Sequence, residues 1–111
     1  MNIFRNSLLF AISFYLTAGN VYADVSDKLS MLEGYTIVLA TYIKGSQDRD
    51  GKRDDAFTGC NFDRIIIFDN GKVLTCATYN YTYSYHPSAI IFSNGSSYKM
   101  LVGNDLYDMR R

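Results

Sequence analysis

Two Asn-Gly pairs, each set between runs of β-branched and aromatic residues, constrain this chain more than any other feature. Asn70-Gly71 separates residues 64–68 from 72–79, and Asn94-Gly95 separates 88–93 from 96–102. A two-residue type I′ turn needs positive φ at both central positions, which Asn and Gly supply at little cost, and its twist matches that of the flanking strands. Each pair therefore predicts an antiparallel hairpin. Counted from a two-residue loop, the first hairpin pairs Phe68 with Val73, Ile67 with Leu74 and Ile65 with Cys76. The second pairs Ile91 with Tyr98 and Ala89 with Met100.

Other segments follow the same pattern. Residues 35–43 (Tyr-Thr-Ile-Val-Leu-Ala-Thr-Tyr-Ile) are rich in β-branched and aromatic residues with no proline among them, the composition of a strand. Residues 105–110 add a last edge strand. No strand–helix–strand spacing occurs, so the strands pair antiparallel. Five or six short strands with recurrent turn signals predict a mainly β (α+β) fold: a small, strongly bent sheet or a partly open barrel. One short helix precedes it over residues 24–33. Asp24 or Ser26 caps it, Val25, Leu29 and Leu32 recur at helical spacing, and Gly34 sits where a helix stops.

The first 23 residues read as a secretory signal peptide. Arg5 supplies the n-region charge, residues 8–16 (Leu-Leu-Phe-Ala-Ile-Ser-Phe-Tyr-Leu) form a short apolar core, and Val21-Tyr22-Ala23 places small residues at −3 and −1. The apolar run is shorter than the ~20 residues that cross a bilayer. In the precursor, residues 4–19 are expected to be helical. Cleavage after Ala23 leaves residues 24–111 as one small β domain of 88 residues (111 less 23). The implied destination is the periplasm or the exterior. In size and layout, though not in any motif, the chain resembles small exported proteins of Gram-negative bacteria.

A domain this small often needs a staple. Cys60 and Cys76 are the only cysteines, and an exported chain meets an oxidising compartment, so a Cys60–Cys76 disulfide is expected. The hairpin register tests it. A strand running straight back from the turn would carry Cys60 five residues past the position opposite Cys76, roughly 17 Å away. A disulfide tolerates only about 4.4–6.8 Å between Cα atoms. Either the bond does not form, or the strand begins near Asp63 and residues 59–62 fold back over the sheet; the second is favoured, with Gly59 as the bend.

Charge excludes some partners. The part after Ala23 keeps all 11 acidic residues and loses only Arg5 from the 11 basic ones, a formal balance of −1. No basic stripe marks a nucleic-acid binder, and no basic amphipathic helix marks a membrane-surface protein once the signal is removed. Residues 44–58 are the most polar stretch and read as an exposed loop or a protruding hairpin, with Asp50-Gly51 as a turn. Asp48, Asp50, Asp54 and Asp55 do not match the EF-type calcium template. Counted from Asp48, position 5 is Lys52 and glycine falls at position 4 rather than 6. No metal or cofactor is expected.

The segment Tyr79-Asn80-Tyr81-Thr82-Tyr83-Ser84-Tyr85-His86 alternates tyrosine with polar residues at the strand period. In a regular strand, Tyr79, Tyr81, Tyr83 and Tyr85 share a face. Two readings stand: core and cross-strand packing, or a surface strip that binds a protein or glycan. His86 is the only histidine and sits before Pro87. It is read as a turn residue beside the strip, with a role as general base in a ribonuclease-like secreted hydrolase as the alternative. Neither a Gly-x-Ser-x-Gly nor a His-Glu-x-x-His motif occurs. The leading expectation is a non-enzymatic binding module with Tyr79, Tyr81, Tyr83, Tyr85 and His86 as candidate surface. A structural envelope protein is the third reading.

Overall fold

The computed structural model describes residues 25–111. The expected signal-peptide helix and the cleavage site lie outside the described residues. The short helix spans 25–30 and tightens into a turn, in which the Leu32 N–H donates to the Leu29 carbonyl at 3.0 Å. Gly34, at φ +83°, ends it where a stop was expected. The described chain divides into two units between Glu33 and Gly34.

The second unit is mainly β. Its strands are β1 (Thr36–Gln47), β2 (Arg53–Asp54), β3 (Phe57–Cys60), β4 (Ile65–Phe68), β5 (Val73–Cys76), β6 (Asn80–Ser84), β7 (Ser88–Ser93), β8 (Tyr98–Val102) and β9 (Asp105–Arg110). Six of them close an antiparallel barrel in the order β1-β4-β5-β9-β8-β7, with β7 returning to β1. β2 extends the sheet beside β1, and β3 and β6 form a separate two-stranded sheet.

Closure depends on β1. Its first part, from Thr36 to Tyr42, pairs with β7, and its last part, from Ile43 to Gln47, pairs with β4. Register shifts between Ile37 and Leu39 and between Ile43 and Gly45 add the local bend that one strand needs to serve two neighbours. The 105–110 strand is not an edge, contrary to the sequence reading. β9 pairs with both β8 and β5, because closing the barrel removes the edge that an open sheet would have left there.

The first hairpin forms one residue out of the expected register. Ile65 pairs with Thr75, Ile66 with Leu74 and Ile67 with Val73. Three residues make the loop: the Gly71 N–H donates to the Phe68 carbonyl (2.9 Å), and the Phe68 N–H donates to the Lys72 carbonyl (2.9 Å). Only Gly71 is left-handed, at φ +82°. Asn70 instead uses its side chain, whose Oδ1 accepts from the Lys72 N–H at 3.0 Å. This is a type I turn followed by a left-handed residue, the usual three-residue hairpin. The side-chain period explains why this register wins. A one-residue slip swaps a strand's faces, and the observed pairing puts Ile66, Phe68, Leu74 and Cys76 inside while Val73 is 51% exposed.

The second hairpin differs by two residues. Ile91 pairs with Met100 and Ser93 with Tyr98. Gly95 (φ +98°) is the first central turn residue and Ser96 the second, closed by the Asn94 N–H on the Ser97 carbonyl at 3.3 Å. Asn94 Oδ1 accepts from the Ser96 and Ser97 N–H groups, at 3.1 and 2.8 Å, which anchors Asn94 before the turn rather than within it. A two-residue shift preserves the faces, so Ala89, Ile91 and Met100 remain buried as expected.

Residues 44–58 take the hairpin form of the expectation rather than the loop form. β1 runs to Gln47 and β2 returns beside it, with Ser46 opposite Asp54. Neither end of the stretch is wholly exposed: Gly45 and Ser46 are buried on β1, and Ala56 and Phe57 are buried at its close. β3 then lies against the barrel. The Phe57 ring meets the Tyr107 ring edge-on at 5.6 Å. Cys60 and Cys76 form a disulfide with Cα atoms 5.6 Å apart. The chain reverses over residues 61–64, where the Arg64 N–H donates to the Asn61 carbonyl (2.9 Å) and the Asp63 N–H donates to the Cys76 carbonyl (3.1 Å). The break before Asp63 required by the disulfide is therefore present.

Candidate functional site

β6 is the outermost layer of this construction. It pairs only with β3, through Phe57–Ser84, Gly59–Tyr81 and Cys60–Asn80. β3 in turn buries Phe57 and Cys60. Among the described residues no strand lies on the other side of β6. Gly59 makes this layering possible. It is left-handed (φ +83°), and a Cβ there would sit 2.0 Å from the Asn80 carbonyl oxygen, far inside any tolerable contact.

The layering decides between the two tyrosine readings. Tyr79, Tyr81, Tyr83 and Tyr85 are 64%, 68%, 64% and 68% exposed. Thr82 and Ser84 between them are half-buried, so the tyrosines take the outward positions and the small hydroxyl residues the inward ones. Core packing is thus corrected for all four. They remain outside because the core beneath is filled by Phe57 and the disulfide from β3. Tyr85 stacks its ring on His86, centroids 4.1 Å apart and planes at 15°. His86 has φ +45°, a left-handed geometry in which His is enriched among non-glycine residues. That matches a turn residue, and the adjacent Pro87 carbonyl accepts from the Ile43 N–H at 2.9 Å. No hydrogen bond to a carboxylate involves His86 among the described residues.

Beside the strip lies a cleft of about 680 Å³ lined by Thr82, Tyr83, Ser84, Pro87 and Ser88 on one side and Val102, Gly103, Asn104 and Asp105 on the other. Its volume is within the range of small-ligand sites. Its lining mixes the hydroxyl, amide and carboxylate residues Ser84, Ser88, Asn104 and Asp105 with Tyr83, Pro87 and Val102. The surrounding sequence is nearly free of charge: no Lys, Arg, Asp or Glu occurs between Lys72 and Lys99. A second cavity, about 630 Å³, opens at one mouth of the barrel over Leu39, Phe68, Leu74 and Ile91, with Lys72 and Arg111 at its rim.

The acidic cluster of residues 48–55 is used internally. Asp48 forms a two-pronged ion pair with Arg64, at 2.5 and 3.4 Å. Asp50 accepts from the Lys52 N–H and Asp54 from the Ala56 N–H, both at 2.9 Å. Arg64 also donates to Thr58 Oγ1 (2.9 Å) and to the Gly59 carbonyl (3.2 Å). One guanidinium thereby ties the β1–β2 hairpin to β3, fixing the strand on which β6 rests. Asp63 adds pairs with Arg49 and Arg110.

Neither the cleft nor the Arg64 clamp was foreseen. The cleft joins residues about twenty apart in sequence across the barrel, and nothing local marks Arg64 as different from the chain's other arginines. Tyr107 is a third such residue. Its side chain is buried in the core and its hydroxyl has no hydrogen-bond partner among the described residues. Burial, with the nearby Asp105 charge second, pushes its pKa up to about 12.

No family model matches the chain, and no curated protein or solved structure is found to be similar to it.

Proposed function

We propose that this protein is an exported binding module that holds a polyhydroxylated ligand, a glycan chain, along the β6 tyrosine strip. The observation that carries the reading is the outward placement of four tyrosines in one seven-residue segment. Exposing rings forgoes burial of roughly 150–250 Å² each, so four in a row form a sizeable aromatic surface. A tyrosine offers an apolar ring face to the C–H side of a sugar and a hydroxyl to its oxygens. The adjoining cleft, which Tyr83 also lines, supplies Ser84, Ser88, Asn104 and Asp105 as hydrogen-bonding partners. The low charge of the region suits a neutral ligand. Export is supported by the leader-like first 23 residues and by the disulfide, which persists in oxidising compartments. The protein acts by binding, in the periplasm or outside the cell.

The test is binding to arrays of immobilised oligosaccharides and, in parallel, of extended peptides. Tyr83→Ala and Asp105→Asn are compared with wild type. Glycan binding lost at least tenfold in both variants, with unchanged melting temperature, is the expected result. Binding confined to peptides removes the glycan assignment. Glycan binding indifferent to both substitutions removes the site.

A further inference from the structure

We infer that β6 also pairs edge to edge with β6 of a second copy of this chain, making a two-fold symmetric dimer with a continuous four-stranded outer sheet. The bonds that form are between backbone edges and the tyrosines set the register; the readout is oligomeric state, which does not depend on what ligand the ring faces hold.

The first ground is the free edge. A strand with one neighbour presents a row of unpaired N–H and C=O groups, and among the described residues β6 has only β3. Edges that must stay single are commonly guarded by Lys, other charges or proline. Residues 79–85 contain none of these.

The second ground is the sequence of the edge itself. Tyr79-Asn80-Tyr81-Thr82-Tyr83-Ser84-Tyr85 is nearly palindromic about Thr82. A two-fold axis at Thr82 sets Tyr79 opposite Tyr85 of the other copy, Tyr81 opposite Tyr83, Asn80 opposite Ser84 and Thr82 opposite itself. Aromatic–aromatic and Thr–Thr cross-strand pairs are among the favourable ones, and directly opposed like charges are absent. Moving the axis by half a residue opposes tyrosines with polar residues, and moving it by a whole residue leaves one tyrosine of each copy without a tyrosine opposite. Isologous pairing of this kind is the commonest symmetry of soluble oligomers. Opposed residues in an antiparallel pair project from the same face, so the tyrosine strips of the two copies join into one platform of twice the width.

The experiment is sedimentation velocity on the protein as its host accumulates it, from about 10 µM to about 1 mM, the range in which a small interface associates. Two double variants are run beside it: Tyr81→Lys with Tyr83→Lys, and Tyr81→Glu with Tyr83→Glu. Both positions are exposed, so the folded state tolerates them, and melting curves check that it does. The expected result is a concentration-dependent shift of the wild type to twice the monomer mass. Each double variant alone remains monomeric, because like charges then face each other, and an equimolar mixture of the two regains the dimer. A wild type that stays monomeric throughout overturns the inference, as does a Lys variant that dimerises as well as wild type. Loss of the dimer leaves the glycan test untouched, so the two proposals fail separately.

Discussion

Replacing Gly59 by alanine separates the cost of a left-handed backbone from the cost of a close strand approach, provided Gly71→Ala is measured beside it. The two glycines have the same φ within a degree, +83° and +82°. Around Gly71 an added Cβ meets nothing within 4 Å, whereas at Gly59 it lies 2.0 Å from Asn80 O and 2.8 Å from Thr82 N. The left-handed geometry costs an alanine roughly 1–2 kcal/mol, offset by about 0.4–1 kcal/mol from the reduced freedom of the unfolded chain. Gly71→Ala should therefore lose about 1 kcal/mol. Gly59→Ala carries the same loss and must also push β6 off β3. The pairings at Gly59–Tyr81 and Cys60–Asn80 then give way, at about 0.5–1.5 kcal/mol per hydrogen bond. A total of about 3 kcal/mol or more is expected. At roughly 4–8 °C per kcal/mol for a domain of this size, the melting temperatures of the two variants should be separated by about 10 °C. Urea unfolding with the disulfide intact gives the free energies by linear extrapolation. Losses within 1 kcal/mol of each other refute the close approach of β3 and β6, and with it the support under the tyrosine strip.

Two further outcomes follow from the core. Removing the disulfide with Cys60→Ala and Cys76→Ala together releases a closure over 16 residues and should cost about 3 kcal/mol; a loss under 1 kcal/mol in urea titrations contradicts the staple role. Tyr107 links stability to alkaline pH: its folded pKa of about 12 lies above the ordinary tyrosine value of about 10, so the unfolded state releases the proton first and stability falls as pH rises from 10 to 12, by about 2–3 kcal/mol in all. Tyr107→Phe should be near neutral or stabilising at pH 7, since it deletes an unpartnered hydroxyl, and should flatten that alkaline decline; an unchanged decline assigns it to other groups.

The legibility of the fold in the sequence depended on parity. The Asn-Gly pairs located both hairpins, yet each closed in a different register, because both asparagines used their side chains as turn acceptors instead of adopting left-handed geometry. At Asn94 the error was even and the buried face was still read correctly. At Asn70 it was odd, and only the burial of Phe68 against the exposure of Val73 reveals the true pairing. The disulfide was readable from the exported character of the chain, and its conflict with a straight strand left two resolutions, no bond or a fold-back before Asp63, of which the second is the one found. The orientation of the tyrosines was not readable. Alternation says that they share a face, but which face turns inward depends on β3 filling the space beneath, and β3 lies some twenty residues earlier in the chain. The cleft beside them depends on closure of the whole barrel.

The barrel comprises two meanders, β1-β4-β5 and β7-β8-β9, each built largely from neighbours in sequence and joined at only two seams, β1 to β7 and β5 to β9. Each meander can form early and locally, while the seams must wait for partners from Cys76↔Met109 to Thr36↔Ser93, roughly thirty to sixty residues apart, the slow kind of contact in folding. The segment that spans the two halves is 77–87, and β6 is its centre. The tyrosine strip therefore sits on the tether across which the halves close, and whatever grips it grips that tether. A ligand that holds β6 against β3 shortens the tether's effective reach and should slow opening of the seams, so that occupancy is felt as a lower unfolding rate as well as a higher equilibrium stability.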